Sequence, residues 1–147
     1  MKNNKAALAF SGGLDTSFCI PYLINEKGLE VHTVMVNTGG FSPEEEAAIE
    51  KKALGLGAAS HVNINAVDTY YRHGLKYLIF GNVLKNATYP LSVSSERVFQ
   101  ALEVLKHVKR IGAEDVAHGS TGAGNDQVRF DIVFEILAPE VKVIAPI

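Results

Sequence analysis

The chain has 147 residues, a length typical of one domain with one continuous hydrophobic core. Hydrophobic residues make up 47% of it and charged residues 20%, which argues against extensive disorder. The formal net charge of −2 provides no overall basic surface for nucleic acid or for an anionic membrane, so neither is expected as a partner.

The cysteine and histidine residues give no indication of a metal site. Cys19 is the single cysteine, which excludes an intramolecular disulfide and is typical of a reducing compartment. The histidines His32, His61, His73 and His107 are scattered without metal-ligand spacing and are expected at the surface or on strands. Only five apolar residues follow the polar N-terminus, too few for a signal peptide or a membrane span. A cytoplasmic location is therefore expected.

Strand-like and helix-like patterns alternate along the chain. In chain order they predict a strand over residues 6–10, a helix over 15–27, a strand over 30–36, a helix over 43–56, a strand over 61–64, a helix over 66–84, a loop over 85–92, a helix over 95–111, a strand over 115–117, a helix over 126–137 and a strand over 141–145. Short apolar runs such as residues 6–10 are typical of strands buried on both faces. Five strands alternating with helices predict an α/β fold with an open, doubly wound parallel sheet.

Local signals mark several element boundaries. Ser42, Pro43 and Glu45 have the pattern of a capping box with proline at the first helical position. Pro21 conflicts with the first helix, because proline lacks an amide hydrogen, and a kink or an irregular turn is expected there. In the helix over 95–111, apolar residues recur at spacings of three and four, which predicts one buried face.

Glycine-rich loops follow three of the predicted strands, over residues 11–17, 37–40 and 118–124. In parallel sheets, ligands bind at the carboxyl ends of the strands. In the first loop, Gly12 and Gly13 let backbone N–H groups approach an anion closely, and the following helix N-terminus adds partial positive charge. The loop lacks the lysine of a Walker A motif. These features predict a phosphate cradle, and the same residues would also suit a capped tight turn.

Two segments carry a resemblance to a known family. Ser11-Gly12-Gly13-Leu14-Asp15-Thr16-Ser17 resembles the pyrophosphate loop of the N-type ATP pyrophosphatases. The run from His118 through Gly119-Ser120-Thr121-Gly122-Ala123-Gly124-Asn125-Asp126 to Asp131 resembles the signature of argininosuccinate synthases. The likeness extends over residues 1–147 as a nucleotide-binding domain. It implies a Rossmann-like fold of the adenine nucleotide alpha hydrolase type, with the family's C-terminal synthetase and oligomerisation domain absent from this chain.

The resemblance implies an ATP-dependent carbon–nitrogen ligase of arginine biosynthesis. In that family the ureido oxygen of citrulline attacks the α-phosphate of ATP, and citrullyl-AMP and pyrophosphate form. The amine of aspartate then displaces AMP to give argininosuccinate. Such chemistry depends on positioning and charge stabilisation rather than on a nucleophilic dyad. ATP and Mg²⁺ are the implied cofactors, citrulline and aspartate the implied substrates, and a homotetramer the implied assembly of the full-length enzyme.

Matching positions imply roles for individual residues. The implied ATP-binding residues are Ala9, Phe10, Ser11, Gly12, Gly13, Leu14, Asp15, Thr16, Ser17, Val36, His118, Gly119, Ser120, Thr121, Gly122, Ala123, Gly124 and Asn125. The implied citrulline-binding residues are Tyr89, Ser94, Asn125 and Arg129, and the implied aspartate-binding residues are Thr121, Asn125 and Asp126. The resemblance assigns no catalytic residue and no protein ligand to a metal.

Several of these residues also have an ordinary structural interpretation. Asn125 and Asp126 would suit caps at the start of a helix, and Ser94 and Asp15 would suit the same role in two other helices. Arg129 would suit an exposed surface position. From residue types alone, both interpretations stay open.

The chain departs from the usual family pattern at three places. Ala123 stands where many members have lysine, Asn37-Thr38-Gly39-Gly40 differs from Asp/Asn-x-Gly-Gln, and Leu91-Ser92-Val93-Ser94-Ser95-Glu96-Arg97 differs from Leu-Gly-Thr-Ser-Leu-Ala-Arg. Two other functions are therefore alternatives: a tRNA-thiolating or amidating ATP pyrophosphatase, and a nucleotide-binding module without turnover. A thiolating enzyme is disfavoured because sulfur transfer relies on several positioned cysteines. The 147-residue chain alone is expected to bind ATP without turnover.

Overall fold

A computed structural model describes residues 4–122 and 124–147. Its elements are β1 (Lys5–Ala9), α1 (Leu14–Asn25), β2 (Glu30–Asn37), α2 (Pro43–Gly55), β3 (Ser60–Asn65), α3 (Val67–Tyr70), a π-helical turn (Tyr71–Leu75), α4 (Lys76–Phe80), β4 (Leu84–Lys85), β5 (Tyr89–Pro90), α5 (Ser92–Ile111), β6 (Asp115–His118), α6 (Asn125–Leu137) and β7 (Lys142–Ile144). In the described part of the chain, no helix is both long and apolar enough to cross a membrane.

Five strands form one parallel sheet in the order β3-β2-β1-β6-β7. The strand order reverses beside β1, which pairs with β2 on one side and with β6 on the other. Ala9 at the end of β1 is in register with Val34 of β2 and with His118 of β6. The loops that follow β1 and β6 therefore leave the sheet side by side.

Helices cover both faces of this sheet, which confirms the predicted doubly wound arrangement. On one face, Ala7 and Val34 pack with residues of α5 and α6 such as Val104 and Phe134. On the other face, Leu8 packs with residues of α1 and α2. Because successive side chains of a strand point to opposite faces, an unbroken apolar run such as β1 is buried on both.

Local signals predicted α2 better than α1. The Ser42 hydroxyl accepts from the Glu45 amide, the Glu45 carboxylate accepts from the Ser42 amide, and Pro43 is the first helical residue, as predicted. The irregular turn expected at Pro21 is absent, because α1 continues through it as regular helix. Pro21 follows Ile20, which is fully buried, so core packing of α1 outweighs the missing hydrogen bond.

Residues 66–92 differ most from prediction. The expected single helix over 66–84 includes a π-helical turn and ends at Phe80, and the segment after it contains a small antiparallel hairpin of β4 and β5. The π-helical turn lies tightly against α5, where a methyl group at Gly74 would come within 2.8 Å of Phe99. The loop between the paired residues Lys85 and Tyr89 has three residues, and two of them, Asn86 and Ala87, have positive φ. Both features depend on contacts that local patterns do not reveal.

The N-terminus of α5 and the position of His107 also correct the sequence analysis. α5 begins at Ser92 rather than at residue 95. His107 lies on α5 and is 5% exposed, so its predicted surface or strand position is wrong. Its Nδ1 accepts a 2.6 Å hydrogen bond from Arg110, and its Nε2 has no partner among the described residues. Burial, followed by the charges of Arg110 and His32, lowers the pKa of His107 to about 4.

Replacing His107 with leucine should make the domain less sensitive to mild acid. The unfolded chain takes up a proton at His107 below about pH 6.5, whereas the folded chain resists it until the pH approaches 4. This difference removes about 2–3 kcal/mol of stability between about pH 7 and pH 4.5. Urea unfolding at both pH values measures it.

The His107→Leu variant should lose that part of the acid destabilisation, and the same replacement at the exposed His73 serves as the control. An equal loss of stability on acidification in the wild type and in His107→Leu would contradict the assignment.

Candidate functional site

A cavity of about 920 Å³ lies at the carboxyl edge of the sheet, where β1 and β6 meet. The sequence-predicted site residues that line it are Ala9, Phe10, Ser11, Gly13, Leu14, Asp15, Thr16, Val36, Tyr89, Ser94, His118, Gly119, Ser120, Thr121, Gly124, Asn125, Asp126 and Arg129. They come from the loops after β1 and β6, from β2 and β5, and from the first turns of α1, α5 and α6. The fold thus collects residues from four separate stretches of the chain, within residues 9–16, at 36, within 89–94 and within 118–129, around one space.

Among the described residues, three predicted site residues, Gly12, Ser17 and Gly122, are not among those lining the cavity. Gly12 has a φ of 76° and forms the turn behind the loop, where a methyl group would come within 2.9 Å of Ile49. Ser17 donates its hydroxyl hydrogen to the Gly13 carbonyl at 2.6 Å. Gly122 lies outside the lining, and Ala123 lies outside the described residues.

The loop after β1 leaves the start of α1 open to a ligand. Gly13 is the N-cap residue of α1, and no side chain caps the helix, so the cap interpretation of Asp15 does not hold. Ser11 Oγ lies 3.3 Å from Thr16 Oγ1 and accepts a 3.4 Å bond from the Gly13 amide. The first amide groups of α1 have no intrahelical acceptor, and this arrangement suits an anion.

The loop after β6 touches the start of α1 through Gly119. A methyl group at Gly119 would lie 3.0 Å from both the backbone nitrogen and Cγ2 of Thr16 and 3.2 Å from the carbonyl carbon of Asp15. Contacts this short to backbone cannot be relieved by rotating a side chain. Glycine at this position therefore lets the two loops meet.

Lys52 contributes a positive charge that no motif indicated. It lies in the last turn of α2, and its Nζ donates a 2.6 Å hydrogen bond to the Gly12 carbonyl. This contact places an ammonium group directly behind the loop after β1. Sequence patterns could not identify this contact, because Lys52 and Gly12 are 40 residues apart along the chain.

His118 organises the β6 loop from a buried position. It is 1% exposed, and its Nδ1 accepts a 3.2 Å hydrogen bond from the Ser120 amide. Its Nε2 lies 3.0 Å from the Asp131 carboxylate, so the hydrogen-bonding pattern assigns the proton to Nε2. The ring stacks on Phe130 at a centroid distance of 5.4 Å. Both ring nitrogens are therefore engaged in holding the loop.

Asp126 is held between two arginines at the start of α6. Arg97 Nε donates to its Oδ2 at 3.0 Å, and Arg129 Nη1 donates to its Oδ1. Burial alone would raise the pKa of Asp126, but the hydrogen bonds and charges of Arg97 and then Arg129 outweigh burial, and its pKa lies below the usual value. Gly124 is the N-cap of α6, so the cap interpretations of Asn125 and Asp126 do not hold.

Arg129 joins α6 to α5 through Ser94. Its Nη2 donates to Ser94 Oγ at 2.9 Å, and its side chain is 23% exposed, so it is not an ordinary surface arginine. Ser94 lies in the first turn of α5, whose N-cap is Leu91, and it is not the helix cap. Tyr89 lines the same cavity from β5 and is half exposed.

A second side-chain cluster on the cavity wall was not predicted. Glu96 Oε1 accepts a 2.5 Å hydrogen bond from Thr38 and a 3.2 Å hydrogen bond from Gln100. Arg97 Nη1 donates to the side-chain oxygen Oε1 of Gln100 at 2.9 Å, and Arg97 also donates to Asp126, which connects this cluster to Asp126. Thr38 and Glu96 belong to two of the segments that depart from the usual family pattern. Across residues 4–122 and 124–147, no three His, Cys, Asp or Glu side chains group as metal ligands would.

Solved structures with similar folds have little sequence identity to this chain. The NMN synthetase of Francisella tularensis aligns with a TM-score of 0.61 and 10% identity, over 81% of this chain and 46% of that one. A predicted subunit of a tRNA methyltransferase from Methanocaldococcus jannaschii aligns with a TM-score of 0.57 and 18% identity, over 97% of this chain and 68% of that one. At such identities these structures support the fold alone.

Sequence relatives are much closer. Argininosuccinate synthase of Xanthomonas campestris pv. campestris is 45% identical over 147 residues, which are all of this chain and 36% of the relative. That of Pyrobaculum aerophilum is 40% identical over 146 residues, 99% of this chain and 36% of the relative. The chain thus spans about a third of the length of the curated relatives it matches. A model of the arginosuccinate synthase N-terminal HUP domain matches residues 5–147, and the chain belongs to the argininosuccinate synthase family.

Proposed function

We propose that this chain is the ATP-binding part of an enzyme that joins citrulline and aspartate into argininosuccinate. The observation that carries the proposal is the cavity itself, in which an uncapped helix N-terminus faces the same space as Asp126 and Arg129. An anion-binding group, a carboxylate and a guanidinium in one cavity match a reaction between a nucleotide and two amino acids.

ATP would lie along the loops after β1 and β6. The first amide groups of α1 and the hydroxyls of Ser11 and Thr16 suit the β- and γ-phosphates, and Lys52 adds positive charge behind the loop. The main chain at Val36 would contact the adenine. Residues 118–122, 124 and 125, together with Ala123, would complete the nucleotide site.

The two amino acids would use the charged pair at the start of α6. Arg129, with Tyr89, Ser94 and Asn125, would bind citrulline, because a planar guanidinium suits a carboxylate. Asp126, with Thr121 and Asn125, would bind aspartate, and its low pKa keeps it anionic for an ammonium group. Each substrate would replace part of the contact that Asp126 and Arg129 now make with each other.

Pyrophosphate would leave in the first step. The ureido oxygen of citrulline bonds to the α-phosphorus as the bond to the bridging oxygen of the β-phosphate breaks. The aspartate amine then bonds to the ureido carbon, and AMP departs with the former ureido oxygen. The chain's own residues hold the three reactants in line and stabilise charge.

Mg²⁺ fits this site as a partner of the phosphates. It binds ATP mainly through phosphate oxygens and needs one or two carboxylates. Asp15 lies in the first turn of α1, lines the cavity and does not cap the helix, so it is the carboxylate placed for that role. When bound, Mg²⁺ would neutralise charge on the phosphates. The family resemblance further supports a cytoplasmic homotetramer for the full-length enzyme.

Citrulline-dependent release of pyrophosphate from ATP by the full-length enzyme tests the reaction, and Asp126→Ala tests the site. Removing the carboxylate leaves the aspartate ammonium without its partner, so the KM for aspartate should rise about 100-fold while the KM for ATP changes less than about threefold. Steady-state kinetics with each substrate varied measures both.

The matched control is Asp68→Ala, which removes a carboxylate from an exposed ion pair with Arg72. Equal effects of Asp126→Ala on aspartate and ATP would contradict the assigned role. Pyrophosphate release with a different acceptor, and none with citrulline, would overturn the proposed reaction.

Gly119→Ala should weaken ATP binding by the 147-residue chain about tenfold or more. The added methyl group meets the Thr16 backbone, so the loop after β6 must move away from the start of α1. Calorimetric titration with MgATP measures the affinity. Gly55→Ala is the control, because a methyl group there meets nothing within 4 Å. Unchanged affinity in Gly119→Ala would show that ATP does not need both loops in contact.

A further inference from the structure

Glu96 places a negative charge in a cavity that otherwise suits anions. It lines the cavity from α5, and its side chain is 31% exposed. It accepts a hydrogen bond from Thr38, which directly follows β2, and makes no hydrogen bond to the described residues of the phosphate-binding loop after β1. A carboxylate beside phosphates would repel them, so this position favours a ligand group that donates hydrogen bonds.

The two oxygens of Glu96 differ in their surroundings. Oε1 accepts from Thr38 and from Gln100, and Arg97 lies 3.8 Å from it. Oε2 has no hydrogen-bond donor within residues 4–122 and 124–147. The carboxylate is therefore fixed through one oxygen, and the other is left to accept a hydrogen bond from a bound molecule.

Apolar side chains line the same part of the cavity. Val36 lies two residues before Thr38, Val93 lies one helical turn before Glu96, and Phe41 follows the turn after β2, and all three line the cavity. An apolar slot with one carboxylate oxygen at its edge suits a flat aromatic base that carries an amino group.

We infer that Glu96 Oε2 accepts a hydrogen bond from the 6-amino group of adenine and makes the site prefer 6-amino over 6-oxo purines. This inference rests on the proposed ATP site. A 6-oxo base presents an oxygen where adenine presents a donor, and two acceptors facing each other repel. Hydrogen bonds to charged groups predict a preference of about 10-fold to 100-fold for ATP over inosine triphosphate.

Glu96→Gln tests the inference because its amide orientation is set by its neighbours. The Gln100 amide donates to the Oε1 position, and the positive charge of Arg97 lies 3.8 Å from it. Both favour an oxygen there, so the new NH₂ group takes the Oε2 position. An acceptor becomes a donor there. ATP should bind more weakly and inosine triphosphate more tightly, and the ratio of the two affinities should fall at least about tenfold.

Calorimetric titrations of the 147-residue chain with ATP, inosine triphosphate and 2′-deoxy-ATP give the affinities. Glu96→Ala should abolish the base preference without reversing it. Glu103→Gln is the matched control, since it makes the same change on α5 outside the cavity lining and should keep the wild-type ratio.

Three outcomes would overturn the inference. If the wild type binds ATP, and both Glu96 variants keep the wild-type ratio of ATP affinity to inosine triphosphate affinity, the inference fails and the proposed ATP site stands. If the variants alter only the preference for ATP over 2′-deoxy-ATP, Glu96 contacts the ribose and not the base. If the wild type binds no ATP at all, the proposed site fails together with the inference.

Discussion

The contact between Gly119 and the backbone of Thr16 is the constraint on which the site depends. Parallel pairing of β1 with β6 brings the two loops to the same edge, and the absence of a side chain at residue 119 lets them touch. The central residues of both strands, Ala6 to Leu8 of β1 and Val116 and Ala117 of β6, are apolar and buried, so the core fixes their register. The position of the cavity edge therefore follows from the packing of the sheet beneath it.

Around that contact, charges of opposite sign alternate along the cavity wall. Arg129, Asp126 and Arg97 form one chain of charge-assisted hydrogen bonds, and Gln100 extends it to Glu96. Every group is partly buried, so each charge needs a neighbour of opposite sign. Because hydrogen bonds hold these side chains to one another, substrates would meet groups that have already lost much of their freedom.

Prediction from sequence succeeded where the information was local. The sheet followed from apolar runs, and the start of α2 followed from the Ser42, Pro43 and Glu45 pattern. It failed where residues distant in sequence determine the local structure. The π-helical turn, for example, packs Gly74 closely against Phe99 of α5. The same limit applies to the site. Both loops could be recognised, but Lys52 and Glu96 could not, because their partners are 40 and 58 residues away.

The departures over residues 37–40 and 91–97 are best understood as one change. Where the usual pattern has glutamine, Gly40 offers no side chain, and a methyl group there would meet nothing within 4 Å. Where the usual pattern has alanine, Glu96 brings a carboxylate from α5 and accepts a hydrogen bond from Thr38 in the same turn. In this chain α5, rather than residue 40 of the loop after β2, supplies the long polar side chain at this end of the cavity. Replacing only Gly40 with glutamine would place two long polar side chains at that end of the cavity, and replacing only Glu96 with alanine would leave neither. The two positions should therefore be changed together.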